Sequence, residues 1–400
     1  MTSFISLLLG LYFVVLVCLS LFGLHRCYLV YLYTKHRRSA VGDVGEEVTQ
    51  CETLTRRQKV PFVTVQLPVY NEKYVVERLV NAVSDLKYPR DCFEVQVLDD
   101  STDETQGRAR AAVERLQAQG IDIDYVHRDH RHGYKAGALD HGLKMAKHDL
   151  IFILDADFVP PADVLQRVIH HFTDAEIGMV QMRWGHINRH HSLLTRIQSI
   201  FLDGHLVIEH TARSRSGRFF NFNGTAGIWR RQAIDDAGGW EHDTLTEDLD
   251  LSFRSQLAGW RFRYLPDVEV PAELPVEINA FKSQQHRWTK GAVQTAKKIL
   301  PRVWKAPLPL KVKVEATFHL TANSSHILIL AMAILMLPVV SIRELIPWHQ
   351  RFFIIDLPLF SMATMAVSGF YLASQRALYE DWSTSIKYLP VLMAVGISLC

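Results

Sequence analysis

From Ser3 to Leu24 the chain is apolar and carries no charged side chain, and four basic residues, Arg26, Lys35, Arg37 and Arg38, follow within a few turns. A run of that length crosses a bilayer as a helix, and its basic flank predicts a cytosolic end with the N-terminus outside. A cleaved leader would carry positive charge before the apolar run and a small-residue cleavage site after it. The run therefore reads as a retained anchor over residues 1–38, followed by a linker over 39–60. Between 61 and 304 the pattern changes: short β-rich runs alternate with amphipathic helical stretches, which predicts an α/β domain. Expected strands are Phe62 to Leu67, Phe93 to Leu98, Asp149 to Leu154, Met179 to Trp184 and Phe262 to Leu265. Apolar runs return at His326 to Ile342, Phe352 to Ala373 and from Tyr388 onward. Residues 305–400 thus read as an interfacial segment and C-terminal transmembrane helices, an incomplete set because the chain stops inside the third run. Asp356, within one of these runs, is expected to snorkel to the membrane interface.

Composition narrows the functional classes. With 48% hydrophobic residues the chain is not disordered, and a formal net charge of +2 provides no global field for nucleic acid. Five scattered cysteines give no disulfide framework. His127, His130 and His132 lie in a charged stretch without the spacing of a zinc site. Arg213, Arg215, Arg230 and Arg231 read as solvated or phosphate-facing surface.

The acidic residues are more informative. One predicted strand runs into Asp99-Asp100, and a stronger one, Leu150 to Leu154, ends in Asp155-Ala-Asp157. Carboxylates one residue apart at a strand end can share a hard divalent cation that also takes diphosphate oxygens, although a solvated turn would show the same pattern. Thr246-Glu247-Asp248 opens a predicted helix from Leu249 to Leu257. There a carboxylate either caps the helix or acts as a general base toward an attacking hydroxyl. Gln284-Gln-His-Arg287-Trp288 sets a forked cation beside an indole. That pair suits a diphosphate and a sugar face, or else an interfacial helix with an aromatic anchor.

Taken as a series within a domain flanked by membrane helices, these motifs resemble the processive family 2 glycosyltransferases of the cellulose synthase-like superfamily. Pro68-Val-Tyr-Asn71-Glu72, Gly133-Tyr-Lys135-Ala-Gly, Phe222-Asn223-Gly224-Thr225-Ala226-Gly227 and Gly238-Gly-Trp240 extend the likeness. The plant mannan and glucan synthase-like branch, with its bacterial relatives, is the most similar. The resemblance implies a GT-A domain inserted between transmembrane helices. It implies a donor site at Glu72, Asp99, Asp100, Lys135, Asp155 and Arg287, and a metal, Mg²⁺ or Mn²⁺, at Asp157 with Asp155. Asp248, with Glu247, would supply the base. Phe222, Asn223, Gly224, Thr225, Gln284 and Trp288 would hold the acceptor.

The implied reaction is inverting polymerisation of a sugar from UDP-glucose or GDP-mannose into a β-glycan, coupled to export through the following helices. The partners are then a nucleotide sugar, a growing glycan and the lipid bilayer, and the host membrane is bacterial inner, plasma or Golgi membrane. Two alternatives stand beside this reading: transfer of one sugar to a lipid such as ceramide or a polyprenyl phosphate, and a silent membrane scaffold. The second has no use for a base at a helix start.

Overall fold

The computed structural model describes residues 2–37, 60–343 and 350–398. Linker residues 39–59, Arg38, Cys51 and Cys400 fall outside them. Seven strands form one sheet: β1 (Val63–Val69), β2 (Phe93–Asp99), β3 (Ile123–His127), β4 (Leu150–Ile153), β5 (Ile177–His186), β6 (Gly227–Arg230) and β7 (Arg261–Ala272). Their order is β3-β2-β1-β4-β6-β5-β7. The first four are parallel, while β6 runs antiparallel to both β4 and β5. Helices cover both faces of such a parallel group, so β2 and β4 are buried at every position and read as continuous apolar runs.

The chain passes from β1 outward to β2 and β3, then returns to place β4 on the other side of β1. This reversal opens a crevice beyond the carboxyl ends of β1 and β4, where open α/β sheets bind ligands. Asn71 and Glu72 follow β1, and Asp155 and Asp157 follow β4.

Fourteen described α-helices surround the sheet and fill the apolar segments. Those that matter here are α1 (Thr2–His36), α2 (Val76–Ser84), α3 (Thr105–Gln117), α4 (Tyr134–Met145), α5 (Val164–Val168), α6 (Leu193–Asp203), α7 (His210–Arg215), α8 (Arg231–Asp236), α9 (Glu247–Leu257), α10 (Ile278–Lys305), α11 (Leu310–Thr321), α12 (Ser324–Arg343), α13 (Gln350–Leu378) and α14 (Leu389–Ser398). Among the described residues, three stretches are long and apolar enough to cross a membrane: Phe4–His36, Ser324–Ile342 and Ile354–Leu378. The first lies within the expected anchor over 1–38 and continues past the apolar run Ser3 to Leu24, because Arg26 does not end the helix. Its guanidinium reaches Glu209 at 3.2 Å and lies over the Phe370 ring, so the charge is met by protein.

Between α6 and α7 the helix widens into a π-helical turn, Gly204–Glu209. A Cβ at Gly204 would stand 2.6 Å from the Phe370 ring, so glycine lets α13 dock directly on this turn. Asp356 departs from the expected interfacial position: it is buried, and Tyr12 of α1 donates to its Oδ2 at 3.4 Å. Cys18, Cys27 and Cys92 are free thiols, in line with the absence of a disulfide framework.

The arginine pairs require correction. Arg213 is buried between Glu209 at 3.0 Å and Glu315 at 2.9 Å, joining α7 to α11. Arg230 donates to the carbonyls of Ile177, Phe172 and Asp174, and Arg231 to those of Ala146 and His148. Guanidiniums with several donors satisfy turn carbonyls that the backbone leaves unpaired, and these do so instead of facing phosphate.

Candidate active site

The loops after β1 and β2 are stitched together. Asn71, at φ 57°, donates its N–H to Ser101 Oγ at 2.8 Å, and its Oδ1 accepts from the Thr102 N–H at 2.9 Å. Asp99 is fully buried, accepting from Tyr125 Oη at 2.6 Å and from the Ser101 N–H at 2.8 Å. Asp100 is gripped by Arg128 through both carboxylate oxygens. These two acids therefore anchor Tyr125 and Arg128 at this end of the crevice. Arg128 carried no sequence signal beyond its position in a charged stretch.

The centre of the crevice is dense in carboxylates. Lys135, near the start of α4, bonds Asp155 Oδ1 and donates to the Gly224 carbonyl at 3.0 Å. Burial acts against its charge, but Asp155, Glu247 and Asp248 outweigh burial and hold its pKa above the ordinary lysine value. Burial, reinforced by Asp155, pushes Asp157 up to about 7, and the same two causes raise Glu72. At the start of α9, burial and then Glu247 push Asp248 up to about 7, while burial raises Glu247 against the pull of Lys135 and Arg287. The Leu249 N–H holds Asp248 Oδ1 at 2.8 Å, which leaves Oδ2 facing Gly224. Lys135 bonds one member of this acidic group, Asp155, and its charge also acts on Asp157, Glu247 and Asp248. Such clustering of raised carboxyl pKa values in a cleft marks a functional site.

The segment from Asn221 to Gly227 closes one wall. Thr225 Oγ1 accepts from the Asp155 N–H at 2.8 Å, tying this wall to the end of β4. Gln181 of β5, unremarked in the sequence, organises the wall: its amide donates to the carbonyls of Met182, Thr225 and Ala226, and its oxygen accepts from the Asn223 N–H. The available signal was a polar residue at the centre of an apolar strand, here fully buried. Phe222 is fully buried, its ring edge-on to Trp229, so it supports the wall from the core side. Asn223 faces the other way and receives His210 at 2.9 Å and Asn221 at 2.8 Å.

Below the crevice lies a cavity of about 790 Å³. Asn223, Asp248, Gln284 and Trp288 line it together with side chains from α1, α12, α13 and α14. The π-helical turn contributes His205 and Glu209 to the lining. Arg287 is exposed on α10, one position away from the lining residue Trp288. A second acidic group, Glu241, Asp243 and Asp250, has ligand oxygens within 4.8 Å of one another. The Lys298 ammonium already pairs with all three. The histidine trio forms no such group among the described residues; His132 instead meets His242 ring to ring, 4.8 Å between centroids.

Comparison with known proteins addresses the family and the fold. Glucomannan 4-beta-mannosyltransferase 1 of Oryza sativa subsp. japonica is 40% identical over 287 residues, covering 70% of this chain and 55% of the relative. Glucomannan 4-beta-mannosyltransferase 2 of Arabidopsis thaliana is 44% identical over 248 residues, covering 61% of this chain and 46% of the relative. The chain spans about half the length of the curated relatives it matches. Among solved structures, a mannosyltransferase from Pyrobaculum calidifontis, in complex with GDP-Man and Mn²⁺, superposes with a TM-score of 0.57 at 20% identity, covering 94% of this chain and 98% of that one. That likeness establishes the GT-A type of sheet. The family model described as glycosyl transferase family group 2 matches residues 150–386, from the first residue of β4 to beyond the end of α13. The chain therefore belongs to glycosyl transferase family group 2, with a GT-A domain flanked by long apolar helices, and it is similar to the plant cellulose synthase-like mannosyltransferases.

Proposed function

We propose that this chain is an inverting, processive β-mannosyltransferase that extends a β-linked glycan from GDP-mannose on the cytosolic side of a membrane and feeds the product into the helices below. The observation that carries this reading is the cavity shared by Asp248, Trp288 and the apolar helices. An extended acceptor placed there has its growing end at the acidic cluster and its body among α1, α12 and α13. The choice of mannose rests on the identity to the plant glucomannan enzymes.

Each residue then has a physical task. Glu72, with Tyr125 and Arg128 fixed by Asp99 and Asp100, borders the nucleoside end. Lys135 offsets the diphosphate as a compact charge, and Arg287 approaches it from α10. Asp157 and Asp155 would hold Mg²⁺ or Mn²⁺, with Glu72 beside them. Hard oxygen donors and an excess of negative charge around one lysine fit such an ion. When bound, the ion disperses charge on the leaving diphosphate.

Asp248 takes the proton from the acceptor hydroxyl. A carboxyl raised to about 7 is well matched to that transfer near neutral pH. Burial raises this value first, and Glu247 adds to it by repelling the Asp248 charge. Trp288 offers its indole face to the terminal sugar and Gln284 a hydrogen bond, while Asn223, Gly224 and Thr225, backed by Phe222, shape the opposite wall.

The test incubates vesicle-embedded protein with Mn²⁺ and labelled GDP-mannose, UDP-glucose or UDP-N-acetylglucosamine, with Asp248→Asn as control. The expected result is ethanol-insoluble, β-mannanase-sensitive label from GDP-mannose, absent in the control. Label confined to organic-extractable lipid would replace polymerisation by single transfer. No consumption of any donor would overturn the enzymatic reading.

A further inference from the structure

The base and the acceptor platform belong to different helices, α9 and α10, and catalysis requires them to keep a fixed separation. Leu249 and Phe253 of α9 share an apolar cluster with Ile299 and Val303 of α10, and beside it one stripe of α10, Gly291, Gln294, Thr295 and Lys298, spaced as neighbours on a helical face, meets the turn that leads into α9. A Cβ at Gly291 would stand 2.6 Å from Thr246 Cγ2 and 2.8 Å from the Thr246 backbone nitrogen, so the helix touches the turn before Asp248 directly. Gln294 Oε1 accepts from the Leu245 N–H at 3.0 Å, and the Thr295 and Thr246 hydroxyls meet at 3.1 Å.

Lys298 closes the stripe. Its ammonium bonds Glu241, Asp243 at 2.8 Å and the fully buried Asp250 at 3.1 Å, three carboxylates that would otherwise repel one another. Arg254 holds the other oxygen of Asp250 at 2.6 Å. Glu241 and Asp243 flank His242, which rests on His132 in the loop before Lys135. The same short turn therefore touches the donor-side loop at one residue and the acceptor helix at its neighbours.

We propose that Lys298 is a positioning residue that locks α10 to the turn 241–250, so that Trp288 and Asp248 are held as one rigid unit across the acceptor. This rests on the transferase reading above, and hydrogen exchange, which needs no turnover, separates the two. Lys298→Met is expected to raise amide exchange in both 241–250 and 284–298 and to lower kcat about tenfold, with KM for GDP-mannose changed less than twofold. Lys298→Arg, which keeps the cation, is expected to restore both readouts.

Should Lys298→Met fail to fold, Glu241→Gln with Asp243→Asn weakens the same lock from the other side and is expected to give the same pattern at smaller size. Exchange in Lys298→Met equal to wild type would overturn the proposal. So would a loss of kcat matched by an equal rise in donor KM. An inactive wild-type protein whose exchange still responds to Lys298→Met would instead remove the transferase reading and leave the lock in place.

Discussion

Gly224 provides the sharpest test of the assembled site. Its φ is +83°, and a Cβ there would lie 3.1 Å from Asp248 Oδ2 and 3.6 Å from Lys135 Nζ. Gly224→Ala therefore has two separable effects. The left-handed backbone costs an L-residue about 1–2 kcal/mol wherever it occurs. The methyl also crowds the Asp248 carboxylate, which must move by a few tenths of an ångström to restore ordinary contact. Since a displacement of about 1 Å costs on the order of 100-fold in rate, a shift of that size costs about three- to tenfold. Gly120→Ala is the matched control, with φ +80° and nothing within 4 Å of the added carbon. Thermal unfolding is expected to show similar losses of stability for the two variants, and GDP-mannose turnover a fall in kcat for Gly224→Ala alone. Equal turnover in the two variants would refute the placement of Asp248 Oδ2 as the working base.

Other outcomes follow from the same structure. The base works only when ionised, so kcat is expected to rise with pH through about 7 and then level off, a profile read from initial rates. Glu247→Gln removes a neighbour that holds the Asp248 value up, so the midpoint of that profile is expected to move to lower pH. Chelation by EDTA is expected to abolish transfer and added Mn²⁺ to restore it, measured as donor consumption. Arg213→Met strips a buried cation from Glu209 and Glu315, which among the described residues retain Arg26, His205 and His25 as partners. Losing one member of a buried charge network costs about 3 kcal/mol, seen as a lower unfolding midpoint in detergent.

The parts of this protein that the sequence determined by itself are those in which one residue type must stand at one kind of position. Apolar runs long enough to span a bilayer, strands buried on both faces and acids at strand ends all follow from local pattern, and β1, β2, β4 and the start of α9 lie where that pattern puts them. The short strands β3 and β6 escaped it. β3 buries only Ile123 and Val126 of its five residues, with no strict alternation to mark it, and β6, four residues long, gains its strand character only from antiparallel neighbours on both sides.

Tertiary structure decided which polar groups meet. Arg213 and Arg230 look like surface residues in sequence, yet the first is buried and the second half-buried, so each finds carboxylates or carbonyls, and those partners lie up to 102 positions away. Gln181, Arg128 and Lys298 matter for the same reason, because hydrogen bonds and ion pairs act over a few ångströms and only the folded chain brings their ends together. The raised carboxyl of Asp248 is likewise a property of the assembly. Burial and a neighbouring charge, not residue type, decide whether an aspartate at a helix start is a cap or a base.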